Sequence, residues 1–247
     1  QYFIADSYYQ LGQKAEARQE YEKLCQITGN PYMQEALTKV AEISYDEKNY
    51  DKALQYFRRL QLQADNMKTV NIARLGVLRS SYYLNDNVTT INVASEIIDD
   101  VASTEEVLTE ARYNRAKAYL NMKEYQLAIE DLNLTANQVR TWEGAESKFL
   151  LAQAYFEQAE LDKAEEQIMS FASMNTQQQY WLARSFILLS DIYVKKSDDF
   201  QAKQYLLSLR SNYHNETDDI LSTVAQKLQL IEEREKEKLN QQNDDDE

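Results

Sequence analysis

The chain has 247 residues, 43% hydrophobic and 11% aromatic, which is enough apolar material for a packed core and argues against wholesale disorder. Four glycines and one proline are too few for a β-rich fold or for the Gly-rich strand-to-helix turns of an open α/β sheet. A formal net charge of −14 disfavours DNA or RNA, which call for a basic patch, disfavours anionic membranes, and makes an apolar or basic partner easier to attract than an acidic one.

Hydrophobic spacing of three and four predicts helices throughout, arranged in pairs. In chain order the pairs fall near 2–11 and 14–28, 32–46 and 50–64, 67–84 and 88–102, 105–121 and 124–139, 142–158 and 161–173, and 177–195 and 199–212. A last helix is expected over about 217–240, capped at its start by Thr217-Asp218-Asp219, with Ile220, Leu221, Val224, Leu228 and Ile231 as its apolar stripe. The acidic tail 241–247 is expected to be disordered.

Two columns of small residues run through these pairs. Ala17, Ala53, Ala128, Ala164 and Ala202 open the second helices, with Ile91 in the remaining slot; twelve residues earlier stand Ala5, Ala41, Arg79, Ala116, Ala152 and Ser190. Paired helices can cross closely only where side chains are small. Arg79 and Ile91 therefore predict a third pair whose helices lie further apart or are rotated.

The stretches Ala41-Glu-Ile-Ser-Tyr-Asp-Glu-Lys-Asn-Tyr-Asp-Lys-Ala53 and Ala116-Lys-Ala-Tyr-Leu-Asn-Met-Lys-Glu-Tyr-Gln-Leu-Ala128 bring the pattern to a known family. It resembles the tetratricopeptide repeat, a helix–turn–helix unit of about 34 residues. The resemblance implies an all-α, right-handed superhelix in one solenoid over 1–240, with first helices on the inner wall. Its units fall near 1–30, 31–66, 67–103, 104–140, 141–175 and 176–216, followed by a capping helix over 217–240. The chain departs from the family pattern in spacing (36–38 residues), in having Ala or Ser where glycine is usual, and in its sparse proline. A cap at the end and none at the start suggest the C-terminal part of a larger protein, similar to large bacterial multi-repeat members of the family.

The inner wall implied by the resemblance can be picked out by offset from the first column. It gives Tyr9, Glu42, Tyr45, Tyr83, Tyr113, Lys117, Phe149, Gln153, Phe156 and Asp191 as candidate groove residues, aromatic with scattered, mildly acidic polarity. These aromatics serve equally well to pack repeat on repeat, so both roles stay open. The positions where one family subtype clamps a peptide carboxylate hold Tyr2, Asp6, Lys39, Ala73 and Val77, which cannot form that clamp.

Catalytic chemistry has little to stand on. His214 is the only histidine and Cys25 the only cysteine, far apart in sequence, and no phosphate loop, nucleophile elbow or zinc helix is present. Cys25 reads as a packing thiol. Asn87-Val-Thr89, Asn133-Leu-Thr135 and Asn215-Glu-Thr217 match the short glycosylation sequon, a pattern of low specificity. The expectation is a non-enzymatic scaffold, with no metal or cofactor, that docks a protein or peptide. A ligand-sensing domain of a multidomain protein and an extracytoplasmic carbohydrate-binding relative are the alternatives. No apolar run reaches the length of a membrane span, and the bacterial envelope and the cytoplasm both stay open.

Overall fold

The computed structural model describes residues 1–245, with side chains as far as Lys238. Among the described residues there are thirteen α-helices and no strand. They are α1 (Tyr2–Gln10), α2 (Lys14–Leu24), α3 (Met33–Asp46), α4 (Tyr50–Gln63), α5 (Met67–Tyr83), α6 (Asn87–Asp99), α7 (Glu105–Asn121), α8 (Tyr125–Thr135), α9 (Trp142–Glu157), α10 (Leu161–Ser173), α11 (Gln179–Lys195), α12 (Asp199–Asn212) and α13 (Ile220–Asp245). They pack as two compact units, Gln1–Lys123 and Glu124–Glu247. In the first, the hairpins α1–α2, α3–α4 and α5–α6 stack in order and α7 closes on α5 and α6. In the second, α8 packs on α9, the hairpins α9–α10 and α11–α12 stack, and α13 lies on α11 and α12. The fold is all-α and built from stacked helix hairpins.

Local chemistry sets the helix starts. Asn49, Asn66, Asp86, Thr104, Thr141 and Asp198 each accept a backbone N–H of the following first turn, contacts worth about 1 kcal/mol apiece. All helices but the last start within two residues of the sequence expectation. Three second helices stop early. The chain leaves α2 toward Gly29 at φ +72°. At the end of α6 it turns extended at Asp100, whose carboxylate accepts the Ala102 N–H at 3.0 Å. After α8 it turns so that Val139 joins Ala145 and Phe171 in a buried cluster.

In four of the six pairs, α1–α2, α3–α4, α9–α10 and α11–α12, both columns of small residues sit at the helix crossing, 0–1% exposed; Ala116 of α7 and Ala128 of α8 are also fully buried. The third pair corrects the sequence reading by one residue. Its crossing residues are Leu78 (0% exposed) and Thr90 (1%), not Arg79 and Ile91; Arg79 is exposed and Ile91 half-buried. Ser81, three residues after Leu78 and buried, is the small residue on the same helix face, its hydroxyl 3.0 Å from that of Thr90. At Gly76 an added Cβ would fall 2.3 Å from the Phe57 ring of α4, so that helix is placed against bare backbone. The pair is a member of the stack with its register shifted by one residue.

The final helix begins at Ile220 instead of 217, with Asp218 Oδ1 accepting the Ile220 N–H at 3.1 Å. Ile220, Val224, Leu228 and Ile231 are at most 5% exposed and pack with Leu206 and Tyr213. Ion pairs Lys227–Asp191 (2.6 Å), Lys203–Glu235 (2.7 Å) and Lys238–Asp199 (2.6 Å) fasten its polar flank to α11 and α12. The helix continues to Asp245, into the segment 241–247 expected to be disordered. Positions 246–247 lie outside the described residues.

Candidate functional site: the inner faces of the first helices

In the first unit, side chains of alternate helices meet along one face. The Lys39 ammonium of α3 lies 4.4 Å from the Tyr9 ring centroid of α1 and pairs with Glu42 at 3.1 Å. Burial works against the Lys39 charge, but its bonds to Glu42 and Tyr9 outweigh that and raise its pKa. Tyr45 meets Tyr83 of α5 edge-on at 6.0 Å, and burial pushes the Tyr45 hydroxyl up to about 12. Arg79 makes a two-pronged bond to Glu110 of α7, 2.6 and 2.8 Å. Lys117 donates to the Tyr113 hydroxyl at 3.1 Å and sits 5.4 Å from the Tyr82 ring. Where α1, α3 and α5 present their N-terminal halves, the face deepens into a cavity of about 640 Å³ lined by Tyr2, Gln34, Thr38, Lys39, Thr69 and Ile72 among others. That volume is in the range of a ligand-binding cleft.

In the second unit, Phe156 is half-buried beneath the Lys195 ammonium, 3.8 Å from its ring centroid. Gln153 is half-buried on the same helix. Asp191 is held by Lys227 at the edge of a second cavity, about 400 Å³, bounded by α11 and α13. Phe149 departs from the expectation of a groove wall. It is 6% exposed, packed against the Trp181 ring at 5.4 Å and covered by the Arg184 guanidinium at 5.7 Å. The side chain spans the gap between α9 and α11 and is part of the core.

Residues 1–31 and 109–134 match the family model of the tetratricopeptide repeat. Those two segments carry tetratricopeptide repeats. Among solved structures it is similar to PilW, described as a widely conserved type IV pilus biogenesis factor, at 19% identity over 91% of this chain and 96% of that one, with a TM-score of 0.56. A tetratricopeptide repeat protein from Parabacteroides merdae ATCC 43184 matches at 14% identity over 92% and 96% of the two chains, with a TM-score of 0.45. At these identities the likeness to PilW shows the fold. Comparison with curated proteins gives no match.

The corrected repeat register reassigns part of the inner face. Tyr82, not Tyr83, is the equivalent of Tyr9 and Tyr45, while Tyr83 lies one position further on, 52% exposed and stacked on Tyr50 at 4.6 Å. Arg79 takes the position held in neighbouring repeats by Asp6, Glu42 and Lys117. Arg79 and Tyr82 are thus inner-face residues that the misplaced column left out of the candidate set, and Tyr2 and Lys39 join them as lining of the cavity. Cys25 is 3% exposed, and burial pushes its thiol up to about 11, a packing thiol with little nucleophile character. Among the described residues, no group of three or more His, Cys, Asp or Glu side chains is placed to hold a metal ion, and no helix is long and apolar enough to cross a membrane.

Proposed function

We propose that the chain is a non-catalytic docking scaffold that holds another protein or a peptide against the inner faces of its repeats. The observation that carries this reading is the cavity of about 640 Å³ in the first unit. It is built by three successive first helices and combines an aromatic wall with amide, hydroxyl and ammonium donors. Tyr is rigid and amphipathic, so such a surface gives contact area at low entropic cost. The charge of the whole chain, 41 acidic against 27 basic side chains, favours an apolar or basic partner over an acidic one.

The test uses the full chain and a variant carrying Tyr2→Ala, Thr38→Arg and Ile72→Ala in the cavity wall. Proteins captured by each from the source cell are compared by quantitative mass spectrometry, with thermal melts as the folding control. The reading expects at least one protein retained by the parent and lost by the variant. Identical capture profiles from two equally folded proteins would overturn it.

A further inference from the structure

Both tryptophans of the chain, Trp142 and Trp181, lie in one aromatic cluster of the second unit, at the starts of α9 and α11. Trp142 stacks on Tyr180 (5.8 Å, 11° between planes) and meets Trp181 edge-on at 5.3 Å; Trp181 meets Tyr180 at 5.0 Å. Trp142 is nonetheless 47% exposed, which leaves much of a large aromatic surface open to water.

The cluster stands on a pinned base. Thr176 donates to the Val139 carbonyl at 2.5 Å, and Gln178 Nε2 donates to the Arg140 carbonyl at 3.0 Å, so the two loops that lead into α9 and α11 are cross-linked. At Gly144 an added Cβ would lie 2.2 Å from the Gln138 carbonyl oxygen; the loop is pressed onto bare helix backbone. Within the cluster the Trp181 indole N–H is buried with no hydrogen-bond partner. A buried unmade bond costs stability, so the arrangement is not the one that stability alone would select.

We propose that this rim anchors the partner: a net-basic segment of another protein lays an apolar side chain on the Trp142 indole. The inference rests on the scaffold reading above. The geometry argues for the anchor, since exposed, rigidly held Trp and Tyr dominate binding hot spots. The charge argues for the basic segment. Residues 124–247 carry twice as many acidic as basic side chains, and such a field steers cations. Around Tyr180 stand Asp218, Asp219 and Arg184, and Arg184 is already bound to Asp219 at 3.1 Å; Arg140 and Glu143 flank Trp142 in sequence.

The experiment titrates the full chain with three 12-residue peptides: one with four Lys around a central Leu, one with Glu for each Lys, and one with Ser for the Leu. Intrinsic fluorescence is the readout, because both reporters sit in the cluster. The Lys–Leu peptide is expected to shift the emission and to bind at least tenfold tighter than the other two, with affinity falling as salt rises. Trp142→Ala should weaken it at least tenfold with an unchanged melt, Trp181 remaining as reporter, and Trp142→Phe should restore part of the binding. Equal binding of the Glu or Ser peptide, unaltered binding to Trp142→Ala, or a response to a neutral oligosaccharide but to none of the peptides would each overturn the proposal. Partner capture separates the two readings: if Trp142→Ala retains a protein that the cavity variant loses, the scaffold stands and the anchor falls.

Discussion

The third repeat offers the sharpest test of the packing argument, because two adjacent residues compete for one position. Thr90 is 1% exposed; its hydroxyl lies 3.0 Å from Ser81 Oγ and donates to the Asp86 carbonyl at 2.9 Å. Leucine at 90 would push extra methylenes into a close helix crossing, at about 1–3 kcal/mol, and remove a hydrogen bond worth about 1 kcal/mol. Thr90→Leu should therefore cost about 2–4 kcal/mol. Thr90→Ala, which installs the residue of the other five repeats, should cost about 1 kcal/mol for the lost bond. Ile91 is half-buried, and Ile91→Leu preserves volume, so it should stay under about 1.5 kcal/mol. Urea unfolding of the full chain, read as midpoints at constant slope, measures all three. If Ile91→Leu proves as costly as Thr90→Leu, the crossing lies at 91 and the register described here is wrong.

Gly144→Ala should destabilise the second unit by about 1–3 kcal/mol, since the new methyl meets a backbone carbonyl rather than a movable side chain; a denaturant midpoint equal to the parent's would contradict the clash. Deleting everything after Asn215 removes Ile220, Val224, Leu228 and Ile231 from α11 and α12, each at most 5% exposed and worth about 1.5–3 kcal/mol. Light scattering should report association or melts should lose cooperativity, and a monomer with an unchanged melt would refute the capping role. Stability should also decline at alkaline pH. Cys25 keeps its proton up to about 11 when folded against an ordinary 9.0, so the folded state binds more protons in between, and its contribution is intact below pH 9 and fades as pH rises toward 11. Denaturant midpoints at pH 8 and 10.5 should converge in part in Cys25→Ala, and an identical decline in both proteins would refute that share.

Most of the architecture was legible because helix pairing writes itself in small residues. Ala17, Ala53, Ala164 and Ala202 mark crossings without help from any other signal. The third repeat misled for a physical reason: its crossing holds Leu78 and Thr90, with the buried Ser81 hydroxyl bonded to Thr90, and a search for alanine cannot see a pair of that kind. The turn residue would have found it. Asn85 has φ +55°, and it stands seven residues after Leu78 and five before Thr90, as Lys48 stands to Ala41 and Ala53. The inner face was legible for Tyr9, Glu42, Tyr45 and Lys117, whose offsets are local. Phe149 was not, because its burial is set by Trp181, thirty-two positions away on the next first helix. The Trp142 rim escaped for the same reason: its members come from different repeats and the loops before them.

The positive-φ turns bear on how such a chain comes to fold. Gly12 and Gly29 have the residue type suited to that conformation, and Asn85 tolerates it; Lys48, Lys123, Ala159 and Ser197 enter it with an ordinary side chain, at φ between 59° and 62°. Each of those carries a strain of about 1 kcal/mol or more. A turn of this kind does not bend the chain by its own preference and cannot seed a hairpin early. The bend is imposed by the helices on either side once their alanines are in contact, and an isolated pair has few other contacts to offset it. Folding should then gain its footing only when neighbouring hairpins dock, which makes cooperativity a consequence of uncomfortable turns as much as of shared core.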